Sequence, residues 1–68
     1  MNLLAENVKR HRIRKNLSQE SLANQAGIGL STISRIERGV LNSSVSIIIV
    51  LAKVLEIEPG ELLRRDLI

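Results

Sequence analysis

The chain has 68 residues, a formal charge of +3, one histidine, no cysteine and no Phe, Tyr or Trp, with 44% hydrophobic residues. These numbers exclude disulfide staples and a thiolate zinc site, exclude aromatic platforms for stacking bases, and are too apolar for a disordered tail. What remains is a single small domain over residues 1–68, held by dense helical packing, by oligomerisation, or by both.

A first helix is predicted over about residues 3–15, where Leu4, Val8 and His11 recur at helical spacing. Asn16 follows as a left-handed stop, because Asn tolerates positive φ. Ser18 is a natural N-cap for a second helix that runs to about Gln25 and turns Leu22, Ala23 and Ala26 inward. Ala26-Gly27-Ile28-Gly29 reads as a tight turn. A third helix begins near Leu30, buries Ile33 and Ile36, and ends at Gly39. Residues 40–44 form a polar loop, and Ser44 caps a fourth helix over residues 45–55. That helix is apolar nearly all round and is therefore expected at the centre. Pro59 opens a last short helix behind the mediocre cap Glu58, with Leu62 and Leu63 facing in. The expectation is an all-α, five-helix domain.

Charge is distributed unevenly. Residues 1–42 carry Lys9, Arg10, Arg12, Arg14, Lys15, Arg35 and Arg38 against Glu6, Glu20 and Glu37, whereas residues 43–68 are slightly acidic. A basic front half suits a polyanion such as nucleic acid. The cations of residues 9–15 spread almost all round the first helix, so they form no amphipathic stripe for a membrane surface. The apolar run at residues 45–55 is about half the length a bilayer requires. The N-terminus lacks the charge and apolar core of a signal peptide. Glu56, Glu58 and Glu61 cluster without a base, nucleophile or metal partner and read as solvated surface. No enzyme, cofactor or metal site is expected.

Residues 18–38 hold the informative pattern: two helices of about two turns joined by a short glycine-bearing turn, the helix-turn-helix arrangement. Ala23 is small enough for the second of these helices to cross closely. Gly27 supplies the turn backbone, and Ile33 pins the recognition helix to the core, leaving its other face free for a major groove. At about 100° per residue, Ser31, Ser34, Arg35 and Arg38 cluster opposite Ile33 and Ile36. The forked guanidinium of Arg35 suits guanine O6 and N7. Ser31 and Ser34 are short, promiscuous base contacts, while Arg38 near the helix end suits phosphate, as does Lys9.

The stretch Leu17-Ser18-Gln19-Glu20-Ser21-Leu22-Ala23, then Ala26-Gly27, then Ser31-Thr32-Ile33-Ser34-Arg35-Ile36-Glu37-Arg38-Gly39, resembles the Cro/C1-type (XRE-like) helix-turn-helix family. The resemblance extends to Val8 and Arg12, to residues 51–55 and to Glu61-Leu62-Leu63. It implies a lambda-repressor-like domain that binds double-stranded DNA and regulates transcription as a repressor or restriction–modification controller, in a bacterial or phage-encoded, cytoplasmic setting. It further implies that Gln19 holds a DNA phosphate, that Arg12 and Glu37 form a structural pair, and that Leu30 contacts bases at the start of the third helix, where it can pack on a thymine methyl. The loop before the fourth helix offers backbone amides at Asn42 and Ser43 to phosphate, although the family often carries Lys or Arg there. Gly29 stands where the family usually has a Ser or Thr cap. His11 occupies a position that is often apolar and reads as a tolerated boundary residue, and Ile13, opposite Leu4 and Val8, has no assigned role.

Leu62, Leu63, Leu67 and Ile68 place four aliphatic side chains in the last seven residues. A chain this short is not expected to shield all of them, so they are read as a self-complementary homodimer surface. Such a dimer would set two recognition helices one DNA turn apart on an inverted repeat. The other reading is an antitoxin or interaction module whose main partner is a protein, because antitoxins share this motif.

Overall fold

In the computed structural model, residues 3–41 and 44–65 are described, and they are all-helical. The helices are α1 (Leu3–Arg14), α2 (Gln19–Ala26), α3 (Leu30–Glu37) and α4 (Val45–Leu55), followed by a 3₁₀ helix (Pro59–Leu63). The all-α expectation is met, with one correction: the fifth helix is a five-residue 3₁₀ turn. Pro59 fixes φ at its first position, and the segment closes with an i→i+3 bond, the Glu61 amide donating to the Glu58 carbonyl at 2.9 Å.

Local signals set the boundaries. Asn16 adopts φ 58° and ends the α1 turn. The Ser18 hydroxyl accepts from the Ser21 amide at 3.0 Å, starting α2. Ser44 does the same for α4, accepting from the Ile47 amide at 3.4 Å. Gly27, at φ 68° and ψ 31°, closes α2 with its amide directed at the Ala23 and Asn24 carbonyls. Arg38 is the C-terminal cap of α3, and Gly39 follows at φ 77°. Glu56 takes the same left-handed position after α4 at φ 60°.

The core joins Val8 of α1, Leu22 and Ala23 of α2, Ile33 and Ile36 of α3, Leu51, Ala52 and Leu55 of α4, and Leu62 of the 3₁₀ helix. Every helix thus lends one apolar stripe to a shared centre, the economical solution for a chain of this length. Two expectations are corrected here. α4 is not buried all round: Val45 (71% exposed) and Ile49 lie outside, while Leu51, Ala52 and Leu55 face in. Leu62 is not surface available to a second copy, because it is completely buried in the chain's own core. Leu63, expected to face in beside it, is 53% exposed. Leu67 and Ile68 lie outside the described residues.

A polar contact closes the fold. Asn7 is 1% exposed, and its Nδ2 donates to the carbonyls of Leu62 at 2.9 Å and Arg64 at 2.8 Å. Those bonds satisfy a buried amide and fasten the C-terminal turn onto α1. Lys15 and Glu56 join the α1 and α4 termini by an exposed ion pair. No helix among the described residues is long and apolar enough to cross a membrane.

Candidate nucleic-acid interface

Two helices and a three-residue turn, Gly27–Gly29, build the interface. Gly27 needs its left-handed backbone, and Ile28 then donates to the Ala23 carbonyl at 2.9 Å, so the chain doubles back against the end of α2. Ala23 is buried beneath this turn with a side chain of a single methyl, so the two helices pack closely. Ile33 and Ile36, both fully buried, fix the roll of α3. Rotation of about 100° per residue then dictates the opposite face. Leu30, Ser31, Arg35 and Arg38 are exposed along it, and Ser34 is half-buried between them. The structure therefore brings the expected base-reading residues onto one face, with Ser34 deeper than its spacing alone suggested.

An ion pair holds α3 at its far end. Arg12 Nε donates to Glu37 Oε2 at 2.7 Å and Nη2 donates to Oε1 at 3.1 Å, a two-pronged contact whose side chains are 12% and 3% exposed. The third guanidinium nitrogen, Nη1, donates to the Leu17 carbonyl at 2.7 Å. Gln19 Nε2 also reaches Glu37 Oε1, at 3.1 Å. One carboxylate thereby gathers α1, the first residue of α2 and the end of α3. Planar, charge-assisted geometry of this kind fixes orientation as well as distance. Gln19, expected on phosphate, is in this structure a donor to Glu37 and stands at the first turn of α2.

The start of α3 is bare. Gly29 occupies the N-cap position without a side-chain hydrogen bond, so the first amides of α3 have no side-chain acceptor there. Its φ of −64° is open to any residue, and a Cβ placed on it would meet only Thr32 Oγ1 at 3.8 Å. The glycine is therefore not required by the backbone or by packing. Leu30, immediately after it, is 47% exposed.

Lys9 is exposed on α1 and lines a shallow groove with Ala5, Glu6, Arg10, Ile13 and Glu37, which places it beside the C-terminal end of α3. Ile13 is thus an outward residue on the rim of that groove. Asn42 and Ser43 lie outside the described residues. His11, in the last turn of α1, is half-buried. Partial burial, reinforced by Arg14 and Arg10 and opposed by Glu61, holds its pKa below the usual value. Among the described residues no three of His, Cys, Asp and Glu gather into a group able to hold a metal ion.

Asn7 and the Lys15–Glu56 pair escaped the sequence reading. Asn7 lies three residues after Leu4 and four before His11, so its place on that inward stripe was the available signal. Glu56, read as plain surface, has its carboxyl held below the usual range by a hydrogen bond from Lys15.

An all-α bundle whose third helix is pinned by two isoleucines and an arginine–glutamate pair, with a polar, basic outer face, is a DNA-reading module. The chain belongs to the Cro/C1-type helix-turn-helix family of DNA-binding transcriptional regulators, and residues 8–62 match the helix-turn-helix family. It is 43% identical over 64 residues to the control protein C.SmaI of Serratia marcescens, covering 94% of this chain and 76% of that protein. The restriction–modification controller C.AhdI of Aeromonas hydrophila superposes with a TM-score of 0.85 at 40% identity, covering 88% of this chain and 91% of that one. SinR, the master regulator of biofilm formation, known from Bacillus subtilis and solved in complex with DNA, gives 0.86 at 31% identity over 90% of this chain and 98% of that one.

Proposed function

We propose that this chain is a sequence-specific regulator of the controller type, binding an inverted-repeat operator in double-stranded DNA as a homodimer in the cytoplasm. The observation that carries this reading is the outer face of α3, where Arg35 and Ser31 stand exposed on a helix whose roll is fixed by Ile33, Ile36 and the Arg12–Glu37 pair. A rigid helix with a short-side-chain face fits a major groove, and a guanidinium there reads guanine O6 and N7 together. Leu30, Ser31, Ser34 and Arg35 are the base-reading set. Arg38, Lys9, Gln19 and the loop at Asn42 and Ser43 are the phosphate set, with Gln19 turning from Glu37 to the backbone or sharing its amide between them.

Several facts support the reading. C.SmaI and C.AhdI are control proteins by name, and SinR was solved on DNA. Exposed Leu63 and the outward Val45 and Ile49 are unspent apolar surface of the kind that dimers cover. A two-fold dimer spaces its recognition helices about 34–36 Å apart, which requires a palindromic site. The matched relatives favour this reading over a module dedicated to a protein partner.

The test is selection of duplexes from a random pool with the purified protein, followed by Arg35→Ala on the selected site. Arg35→Ala is expected to weaken binding by roughly 1–3 kcal/mol and to relax preference at one base pair per half-site. An equal loss on all sequences would make Arg35 a phosphate contact instead.

A further inference from the structure

Asn7 is 1% exposed and belongs to neither the DNA-contacting set nor the apolar core. Its Nδ2 carries two hydrogens and meets two backbone carbonyls, Leu62 at 2.9 Å and Arg64 at 2.8 Å. Those carbonyls bracket Leu63, which is 53% exposed. Other restraints on this stretch are weaker. The bond from the Arg64 amide to the Glu61 carbonyl is long at 3.4 Å, and the Arg64–Glu61 side-chain pair is exposed to solvent. Leu62, completely buried, anchors the turn at one point, which fixes its position but not its roll. The two Asn7 bonds, one on either side of Leu63, fix the roll. Leu63 is also flanked by opposite charges, exposed Glu58 before it and exposed Arg64 and Arg65 after it. A two-fold axis through Leu63, perpendicular to the chain, sets the acidic side of each turn against the basic side of the other, so a second copy is the complementary occupant.

We propose that Asn7 is a positioning residue for self-association: by holding the backbone on both sides of Leu63, it directs that side chain at a second copy of the chain. This rests on the homodimer reading above and adds to it the residue that aims the contact. A two-fold interface repeats any tilt of Leu63 in both copies, so a small change of direction displaces one recognition helix relative to the other. The half-sites of an inverted repeat lie at a fixed spacing. Binding to both together therefore depends on that tilt, whereas binding to one half-site does not. Losing two buried bonds that orient the contact is expected to weaken association about tenfold.

The experiment follows the full chain by sedimentation equilibrium and by binding to the duplex selected from the random pool, beside a duplex that keeps one half-site. All variants are read at a temperature where circular dichroism shows them folded. Asn7→Ala is expected to weaken association and full-site binding by about tenfold each, with half-site binding unchanged. Asn7→Ser, with one donor in place of two, is the second variant and is expected to fall between the parent and Asn7→Ala. Because Asn7 and Leu63 act on one contact, Asn7→Ala combined with Leu63→Ala is expected to lose less than the product of the two separate losses. Association unchanged in folded Asn7→Ala or Asn7→Ser overturns the inference alone. So does an equal loss on full-site and half-site duplexes, or losses that multiply independently with Leu63→Ala. A parent chain that stays monomeric at every concentration overturns the homodimer reading and this inference together.

Discussion

Removing Arg12 or Glu37 leaves the other as a poorly hydrated charge that has lost its best partner. Glu37 is the more exacting, since its side chain is 3% exposed and accepts from both Arg12 and Gln19. Arg12→Ala and Glu37→Ala are each expected to cost about 3 kcal/mol in urea melts. The double variant is expected to lose clearly less than their sum, because both substitutions remove one shared interaction. Additive losses would show that the two side chains act separately. This pair was legible only through the family resemblance, since opposite charges 25 positions apart have no periodicity to connect them. Asn7 was not legible at all as a clamp. Its partners are backbone carbonyls, which every residue possesses and no sequence distinguishes.

Helix boundaries were the readable part of the elements because they depend on local chemistry. Ser18 and Ser44 bond amides three residues ahead, and Asn16 and Gly27 accept positive φ. The orientation of α4 was marked only by Ser46 and Lys53, seven positions apart and exposed on the face that carries Ile49, a signal the surrounding aliphatic run obscured. Packing by α1, α2 and the 3₁₀ helix chose Leu51, Ala52 and Leu55 and left Val45 and Ile49 outside. The two glycines of the turn make a matched test. A Cβ on Gly27 meets nothing within 4 Å, so Gly27→Ala isolates the strain of φ 68° and is expected to cost about 1 kcal/mol. Gly29→Ser has room and ordinary φ, and is expected to gain a few tenths of a kcal/mol by capping α3. Equal effects of the two in denaturant titrations would contradict this division.

At the scale of the whole molecule, adjacent leucines differ in burial, Leu62 lying in the core and Leu63 outside it. Leu62 fills the core, so Leu62→Ala is expected to cost about 3 kcal/mol of stability. Leu63 is exposed, so Leu63→Asp is expected to leave the folded chain intact and to weaken dimerisation by at least about tenfold, read by sedimentation equilibrium over a range of concentrations. A dimer unaffected by Leu63→Asp would place the interface elsewhere. Neighbouring residues of one chemical type thus meet different surroundings, and only the turn geometry separates them. The Asn7 clamp has a consequence in time as well. Its bonds span 55 and 57 positions, so forming them closes almost the entire chain into a ring. Such closure is entropically costly before nearer contacts have shortened the effective loop. The clamp should therefore be among the last contacts to form and the first to open. In stopped-flow kinetics, Asn7→Ala is expected to accelerate unfolding by about tenfold while the refolding rate stays nearly constant. Slower refolding with unchanged unfolding would mean that the two ends of the chain meet before the barrier is crossed.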